Sequence, residues 1–510
     1  MERLEEQDGC VWLPRDSNQA RGLAQYAIQF IAGHWPEPEP KVFRHLEMFH
    51  IDSVACAVAA LARRYSAPTL LRAEALQYPS QPGAFCFGST TAVAAEKAVV
   101  ANCAAVRELD ANGTNFGYDP FRKSGAGEFG HNDFYPVPVA AAAEQACDGR
   151  RLARAMLALD EIRGRLAEAF ALRRYQIDHV LHGAIASAVV YAALHHASVD
   201  QIESAIGLVV AHYVPFRAIR AGRDLSDSKG ASAALAAEMA VLAAKRALAG
   251  FRGPADIFRN PQALFCLFEP PTQHGSSPFD LQLATHGDRF ALMQMHIKLG
   301  IYEHQSASAL EALLELCSRH GYLPRSADEI RSVEIALYEP AYSIIADPAK
   351  RDPRTRQSAD HSIYYLAATL LRKMIQLRSS DWNSLMLMPE DFDPPALFHP
   401  MTRQLMERIE VRHGGSDYDA AYPEAIPASV KLTAADRTWE SGMVRFPLGH
   451  ARKMDGRFRQ LWQNKIERFA QMGGVTGSEL RAKLAHLEER PPAETKLLYC
   501  WPIPALQEAP

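Results

Sequence analysis

Hydrophobic residues in the first half of the chain recur at the spacing of amphipathic helices. In residues 51–64, the apolar positions that share one helical face are Ile51, Val54, Ala55, Val58 and Leu61. The same spacing predicts helices at about 183–197 and 231–248, and the second ends just before Gly250. Because alanine-rich faces let helices approach closely, this half of the chain predicts a helical bundle.

The pattern changes after about residue 255. Residues 253–290 are rich in proline, glycine, asparagine and histidine, which is typical of a connecting segment. Beyond them, alternating apolar residues predict short strands at 332–338, 408–412 and 429–433. Amphipathic spacing predicts helices at about 306–319, 358–373 and 455–488.

These elements predict a mainly α protein in two parts. Residues 1–285 form a large all-α helical domain, and residues 286–454 form a smaller α+β domain. The C-terminal residues 455–510 are expected to pack back on the helical domain. A chain of 510 residues is too long for a single hydrophobic core, which agrees with this division.

Charge and composition narrow the class of partner. The net charge of −4 argues against nucleic acid as the main partner, because phosphate binding needs a basic surface. The sequence has no run of 18 apolar residues, so no membrane span is expected. The acidic start MERLEEQDG lacks the apolar region of a secretory leader, so we expect a cytoplasmic protein.

The eight cysteines are scattered, and none forms a C-x-x-C pair. This spacing predicts buried free thiols in a reducing compartment rather than an iron–sulfur or structural zinc site. The positions are Cys10, Cys56, Cys86, Cys103, Cys147, Cys266, Cys317 and Cys500.

One long polar segment, residues 107–136, lies between two alanine-rich helices. Its polar residues that suit acid–base or binding chemistry are Asp110, Asn112, Thr114, Glu128, His131, Asp133 and Tyr135. A long loop inside a compact domain is usually functional or disordered, and its aromatic residues argue against disorder. A surface loop in which aspartate and asparagine serve turns is the alternative.

Three shorter segments are further candidates. In residues 226–232, Asp227 or Ser228 caps a predicted helix, and Lys229 beside the free N–H groups makes an anion site. His304 in residues 298–306 and His179 in residues 175–182 each precede a predicted helix. A solvated lysine on a capped helix and structural histidines are the alternatives.

The motifs in these segments resemble, in order, those of the MmgE/PrpD family. Residues 109–114 (LDANGT) look like the family's Leu-Asp-x-x-Asp-Thr motif, and His131 takes the place of the histidine that follows it. Residues 177–181 (IDHVL) resemble the Asp-His segment, while Lys229 and His304 resemble the active-site lysine and the lid histidine. Residues 351–365 and the Gly-His-Ala-Arg segment at 446–452 are also similar, and the latter points to the dehydratase branch.

The sequence departs from the family pattern in the segment that would line the pocket. Gly113 replaces the second aspartate of the motif, and Asn132 replaces the proline after His131. About ten extra residues, centred on 121–128, lengthen the loop, and the spacing before His304 is shortened. These changes weaken the assignment of a particular substrate.

The resemblance implies an active site between the helical domain and the smaller domain, which acts as a lid. Catalytic roles are implied for four residues, which are Asp110, His131, Lys229 and His179. Substrate binding is implied for Thr114, His304, Arg452, Asn112 and Tyr338. Asp110 and His131 share the acid–base step, and the sequence does not decide which of them is the base. Arg452 is expected to bind a carboxylate through two N–H groups of its guanidinium. A homodimer without metal ion or organic cofactor is also implied.

The family resemblance implies a metal-free lyase acting on a small polycarboxylate, with dehydration of 2-methylcitrate as the first expectation. Decarboxylation of cis-aconitate and epimerisation of a dicarboxylate are alternatives, because each begins beside a carboxylate on the same scaffold. A relative that binds a metabolite without turnover is the alternative of another class, and Gly113 motivates it.

Overall fold

A computed structural model describes residues 4–220 and 225–507; Met1 to Arg3 of the acidic N-terminal segment lie outside the described residues. The first 285 residues are mainly helical, as predicted. Their longer helices are Gln19–Ala32, Pro40–Ala62, Ser66–Ala75, Ala95–Arg107, Pro136–Gln145, Gly149–Ala169, Val180–Leu194, Val199–His212 and Asp227–Leu248. All three helices predicted in this part are present. Each begins earlier than predicted, two of them by a few residues and the first by more than a turn.

The packing of these helices follows from their small side chains. Asp227–Leu248 packs against both Ala95–Arg107 and Val180–Leu194. Every residue of Val180–Leu194 is buried, so this helix runs through the centre of the bundle. Gly250 has a φ of +95°, a left-handed conformation that suits glycine after the end of a helix.

The prediction of an all-α first part missed short strands. Leu281–Ala284, inside the predicted connection, pairs with Cys10–Leu13, which in turn pairs with Glu6–Gln7. Pro79–Phe85 pairs with Ala92–Val93. Most of these strands have two to four residues, too few for alternation to reveal them, and the longer Pro79–Phe85 contains two prolines and a glycine, which do not suggest a strand.

The second part contains a four-stranded sheet. Its strand order is Arg437–Glu440, Ala428–Ala434, Ile330–Leu337 and Ile409–His413, and only the last pair is parallel. The predicted strands are therefore confirmed. The helices around the sheet include Ala307–Arg319, Ala341–Ile345, Arg356–Ala359, Ile363–Leu377, Trp382–Leu385, Pro394–Leu397, Pro400–Met406 and Ser416–Ala421.

The C-terminal helices are Gly456–Met472, Gly477–Leu484 and Pro492–Lys496, and the first packs on Pro40–Ala62. Lys465 on this helix is buried, and its Nζ donates to Asp52 Oδ1 at 2.7 Å. The same ammonium donates to the carbonyls of Ala111 and Lys298. The helix thus supports two segments of the candidate site, while the domain boundaries at 285 and 454 stay a prediction.

Pro40–Ala62 is the one helix, among the described residues, that is long and apolar enough to cross a membrane. Of its most apolar stretch, 78% is buried inside the protein, which is typical of a core helix. All eight cysteines are free, and all except half-buried Cys500 are buried, as the sequence predicts.

Candidate active site

The polar segment between Ala95–Arg107 and Pro136–Gln145 is folded into the protein. Only residues 121–125, inside the expected insertion, are exposed. The surface-loop alternative is therefore wrong for the rest of the segment. Two short strands, Thr114–Asn115 and Gly130–His131, pair within it and bring Thr114 opposite His131.

Thr114 holds this hairpin in place. Its hydroxyl donates to the carbonyl of Gly130 at 2.8 Å, and its backbone exchanges two hydrogen bonds with His296. Asn112 has a similar role, because its amide donates to the carbonyl of Asn132 and to Asp133 Oδ1. In this structure both side chains therefore fix the position of His131.

Asp110 lies at the centre of a group of cations. Arg107 Nη1 is 2.5 Å from Asp110 Oδ1, and the Lys298 ammonium donates to both the carboxylate and the carbonyl of Asp110. Lys229 Nζ is 3.4 Å and His361 Nδ1 is 3.3 Å from Asp110 Oδ2. Burial alone would raise the pKa of Asp110, but these neighbours hold it well below the usual range.

Asp360, from the second part of the chain, completes this group. Its Oδ1 lies 2.6 Å from both Lys229 Nζ and His361 Nδ1. Burial lowers the pKa of Lys229 to about 8, and the two carboxylates partly oppose that shift. We call Arg107, Asp110, Lys229, Lys298 and Asp360 the ion-paired cluster.

The sequence placed Lys229 at the start of a capped helix, but the cap is not as predicted. Asp227–Leu248 begins after Ser226, whose side chain makes no capping bond. The Asp227 carboxylate instead accepts from Ser66 Oγ at 2.8 Å. The solvated-lysine alternative is also wrong, because Lys229 is 2% exposed.

Two histidines lie beside the cluster without strong partners. The rings of His131 and His179 are 5.1 Å apart. Arg107 Nη2 is 3.4 Å from His131 Nε2, and His131 Nδ1 has no hydrogen bond among the described residues. Neither nitrogen of His179 has one in the same set, although Nδ1 is 3.5 Å from Asp178. Burial holds the pKa of both rings well below the usual range, so both are neutral.

These histidines open onto a cavity of about 220 Å³. Its lining residues are Phe129, His131, His179, Arg217, Arg220, Glu303, Gln305, Ser343, Ile344, Asp347, Lys350 and His361. Arg217 Nη1 is buried and has no hydrogen bond among the described residues, whereas Arg220 pairs with Asp178. A small cavity with neutral imidazoles and an unpaired guanidinium suits an organic anion.

Comparison with known families decides the classification. Residues 21–274 match the MmgE/PrpD N-terminal domain, and residues 302–487 match the MmgE/PrpD C-terminal domain. The chain belongs to the MmgE/PrpD family. The family membership that the sequence motifs predicted is thereby confirmed over these two ranges.

Relatives in the family are distant. The chain is 24% identical over 306 residues to the 2-methylcitrate dehydratase of Escherichia coli, covering 60% of each chain. It is also 24% identical over 319 residues to a 2-methylcitrate dehydratase-like protein of Aspergillus oryzae, covering 61% of this chain and 60% of that one. The chain thus spans about three-fifths of the length of the curated relatives it matches.

All five residues expected to bind substrate lie outside the cavity lining; two of them hold the hairpin that carries His131, and three lie farther along the chain. His304 stacks between Phe116 and His296, at ring distances of 5.8 and 5.3 Å. Tyr338 stacks on Tyr422 at 4.8 Å. Arg452 is a third such residue.

Arg452 forms an ion pair away from the cavity. Its Nη1 lies 2.5 Å from Glu424 Oε1, and its guanidinium lies over the Phe446 ring. It lines a separate small pocket with His296 and His450. The MmgE/PrpD signature in which Arg452 lies is therefore present, but this structure does not bring its guanidinium to His131.

The departure from the family motif at Gly113 has a steric reason. A Cβ at this position would lie 2.5 Å from two carbons of the Phe49 ring. A second aspartate does not fit here unless Phe49 moves. At the position where the resemblance implies a carboxylate, this chain therefore has an apolar contact with Phe49.

Four functional candidates were missed by sequence reasoning: Lys298, His361, Arg217 and Glu303. Lys298 and His361 lay in segments noted for other reasons, and the Asp360-His361 pair was a usable signal. Glu303 also lay in the noted segment 298–306 but was not singled out, and Arg217 carried no signal in the pattern.

Asp110, Asp360 and His361 present oxygen and nitrogen atoms within 4.8 Å of one another, close enough to hold a metal ion. The Lys229 ammonium, however, lies 2.6 Å from Asp360 and 3.4 Å from Asp110. Side-chain cations thus already supply the charge that a metal would supply to these carboxylates.

Proposed function

We propose that this protein is a metal-free lyase that removes water from a small polycarboxylate, and that 2-methylcitrate is its substrate. The observation that carries the proposal is the cavity lined by neutral His131, neutral His179 and Arg217, whose buried Nη1 has no hydrogen bond among the described residues. The names of the distant relatives support the same reaction.

His131 is the general base. Elimination requires a base held against a carbon next to a carboxylate. Asp110 fits this role poorly, because Arg107 and Lys298 stabilise its ionised form and lower its proton affinity. A guanidinium can only donate, so the 3.4 Å contact with Arg107 places the lone pair of His131 on Nε2. The substrate must displace this long contact before the lone pair takes a proton from carbon.

Substrate binding would strengthen this base. Burial and the charges of Arg107 and Lys298 lower the pKa of His131 in the free protein. A bound polycarboxylate brings negative charge beside these cations and raises the pKa of the imidazole again. The base is therefore activated by the anion on which it acts.

Cations and hydrogen-bond donors would stabilise the enediolate that forms. Arg217 and Lys350 line the cavity and anchor carboxylates, while His179 lies beside His131 as a donor. Lys229 acts through its field, since it is paired with Asp360 and buried. The family resemblance implies that three further residues bind substrate: His304, Tyr338 and Arg452. The lid would have to move to bring them to the cavity.

A turnover assay tests the proposal. Chelator-treated protein is incubated separately with 2-methylcitrate, citrate and cis-aconitate, and products are identified by mass spectrometry. We expect a conjugated alkene from 2-methylcitrate without added metal. Dependence on a metal ion would refute the metal-free mechanism, and inertness towards all three acids would refute the substrate.

Decarboxylation of cis-aconitate is the second candidate. The observation in its favour is Gly113, where Phe49 occupies the space of a carboxylate and alters the charge beside Asp110. Release of carbon dioxide from cis-aconitate, without alkene formation from 2-methylcitrate, would favour this activity.

The proposal includes a cytoplasmic homodimer built through the helical part. Exposed apolar residues on and near Asp227–Leu248 support such an interface: Phe216, Leu235 and Phe251. Sedimentation of the purified protein tests it, and a monomer at micromolar concentration would refute it. Fractionation of the source cells tests the location.

A further inference from the structure

Glu303 lies between the ion-paired cluster and the cavity. Its backbone N–H donates to the carbonyl of Asp360 at 2.8 Å, which ties its position to the cluster. Its side chain lines the cavity together with His131, His179 and His361. A ligand that fills this cavity therefore lies against both the histidines and the Glu303 side chain.

The Glu303 carboxyl differs from three other buried carboxyl groups near the site. Asp110, Asp178 and Asp360 each pair with a lysine or arginine. Glu303 makes no ion pair with any residue that the structure describes. Its one side-chain hydrogen bond there is from the Gln305 backbone N–H to Oε2, at 2.7 Å.

Only one of the two carboxyl oxygens of Glu303 takes part in helix capping. Glu303 is the N-cap of the turn that leads into Ala307–Arg319, and a cap favours the ionised form. Burial has the larger effect and raises the pKa of Glu303 to about 7, against the opposing charge of Lys298. Around neutral pH a substantial fraction of this group thus carries a proton.

The charged and titratable groups that surround Glu303 come from both parts of the chain. They are Arg107, Asp110, His131, His179, Arg217, Arg220, Lys298, Tyr338, Asp347, Lys350, His361 and Tyr422. In the free protein these groups leave Glu303 as a carboxyl group with no cation bound to it.

We propose that Glu303 is the general acid that protonates the leaving hydroxyl group of the substrate. This inference rests on the proposed dehydration. It assigns the substrate class as an acid with a hydroxyl group on the carbon next to the one that loses its proton.

The step balances without an oxidant or reductant. His131 takes the proton from carbon, and the electron pair of that C–H bond becomes the π bond of the alkene. The C–O bond breaks with its pair on oxygen, Glu303 gives its proton to that oxygen, and water leaves. The imidazolium then returns its proton to the Glu303 carboxylate through solvent.

The test compares two leaving groups in a Glu303→Gln variant. Glutamine keeps an oxygen that can accept from the Gln305 N–H but has no acidic proton. The substrates are 2-methylcitrate and its analogue with fluoride in place of the hydroxyl group, because fluoride leaves without protonation. We expect turnover of the hydroxyl substrate to fall about 100-fold or more, and fluoride elimination to stay within about threefold of the wild type.

Glu128→Gln is the matched control. Glu128 is also buried, its pKa is also raised to about 7 by burial, and it caps backbone N–H groups of Phe129 and Arg173. It does not line the cavity. Its replacement should leave the ratio of hydroxyl to fluoride turnover unchanged, whatever its effect on stability.

The pH dependence gives a second measurement. The wild-type kcat should fall above about pH 7 as Glu303 loses its proton, and the residual kcat of the variant should lack this fall. An equal loss with both leaving groups, or no loss with either, would overturn the proposal. A wild type inert towards both substrates would remove the dehydration and this role together, whereas intact dehydration by the variant would remove this role alone.

Discussion

The ion-paired cluster and the wall of the cavity are adjacent, yet their polar groups differ. The carboxylates of the cluster are paired with cations, whereas several polar atoms of the wall have no hydrogen-bond partner among the described residues. In the cluster, Asp110 and Asp360 are each held by side-chain cations. On the wall, His179 and Arg217 have buried nitrogen atoms without a hydrogen bond among the described residues. Buried polar groups normally have partners, so an unpaired set beside a cavity is a sign of ligand binding.

The difference separates groups whose charge is fixed, in the cluster, from groups that can exchange a proton, on the wall of the cavity. Cations lower the pKa of Asp110, while burial raises the pKa of Glu303 to about 7. Environments that push two carboxyl groups apart in this way mark which of them can exchange a proton near neutral pH. The cluster therefore sets the field, and the wall performs the proton transfers.

Breaking the cluster should have the largest effect. Lys298→Met leaves the buried Asp110 with less compensation, and removal of one partner of a buried ion pair costs about 3–5 kcal/mol. We expect a lower free energy of unfolding in urea and little activity. A Lys298→Met/Asp110→Asn double variant should recover part of the stability. Unchanged stability in the single variant would contradict the cluster's structural role.

Replacing a residue of the cavity wall should remove activity and preserve the fold. His131→Ala deletes the base, so kcat should fall by about 10²–10⁴-fold. The melting temperature should change little, because the one side-chain hydrogen bond of His131 among the described residues is the 3.4 Å contact with Arg107. His45→Asn, on the Pro40–Ala62 helix, is a control that should keep normal turnover. Near-normal turnover of His131→Ala would refute its role.

Lowering the pH should separate the histidines from the cluster. Burial lowers the pKa of His50, His296 and His361 to about 3, against about 6.5 in the unfolded chain. Between these values the unfolded chain binds more protons, so the free energy of unfolding should fall as the pH drops below about 6.5. The contribution of Asp110, whose pKa is lowered, should be lost only below about pH 4.

Urea titrations at several pH values measure this dependence. Replacing His50, which contacts the Tyr499 hydroxyl group, by glutamine should remove about one proton from the slope between pH 4 and 6. A flat free energy of unfolding across that range would show that the buried histidines are not neutral.

Local pattern was enough to predict some of the longer helices and three of the four strands of the sheet in the second part. The ordered motifs around Asp110, His131, His179 and Lys229 were enough to predict the segments that meet at the site. They could not reveal that Lys298 binds Asp110, because the two residues lie 188 positions apart. Nor could they show that the side chains of Thr114 and Asn112 form hydrogen bonds with the backbone of the hairpin segment.

The smallest effect is expected at Arg452, which belongs to neither region in this structure. Its guanidinium is paired with Glu424, and its side chain is 39% exposed. Exposed ion pairs contribute little, so Arg452→Ala should change KM and kcat by less than about threefold. Arg445→Ala, which also loses a contact with Glu424, is the matched control. A rise in KM of about 100-fold in Arg452→Ala alone would instead show that the lid closes and brings this guanidinium to a substrate carboxylate.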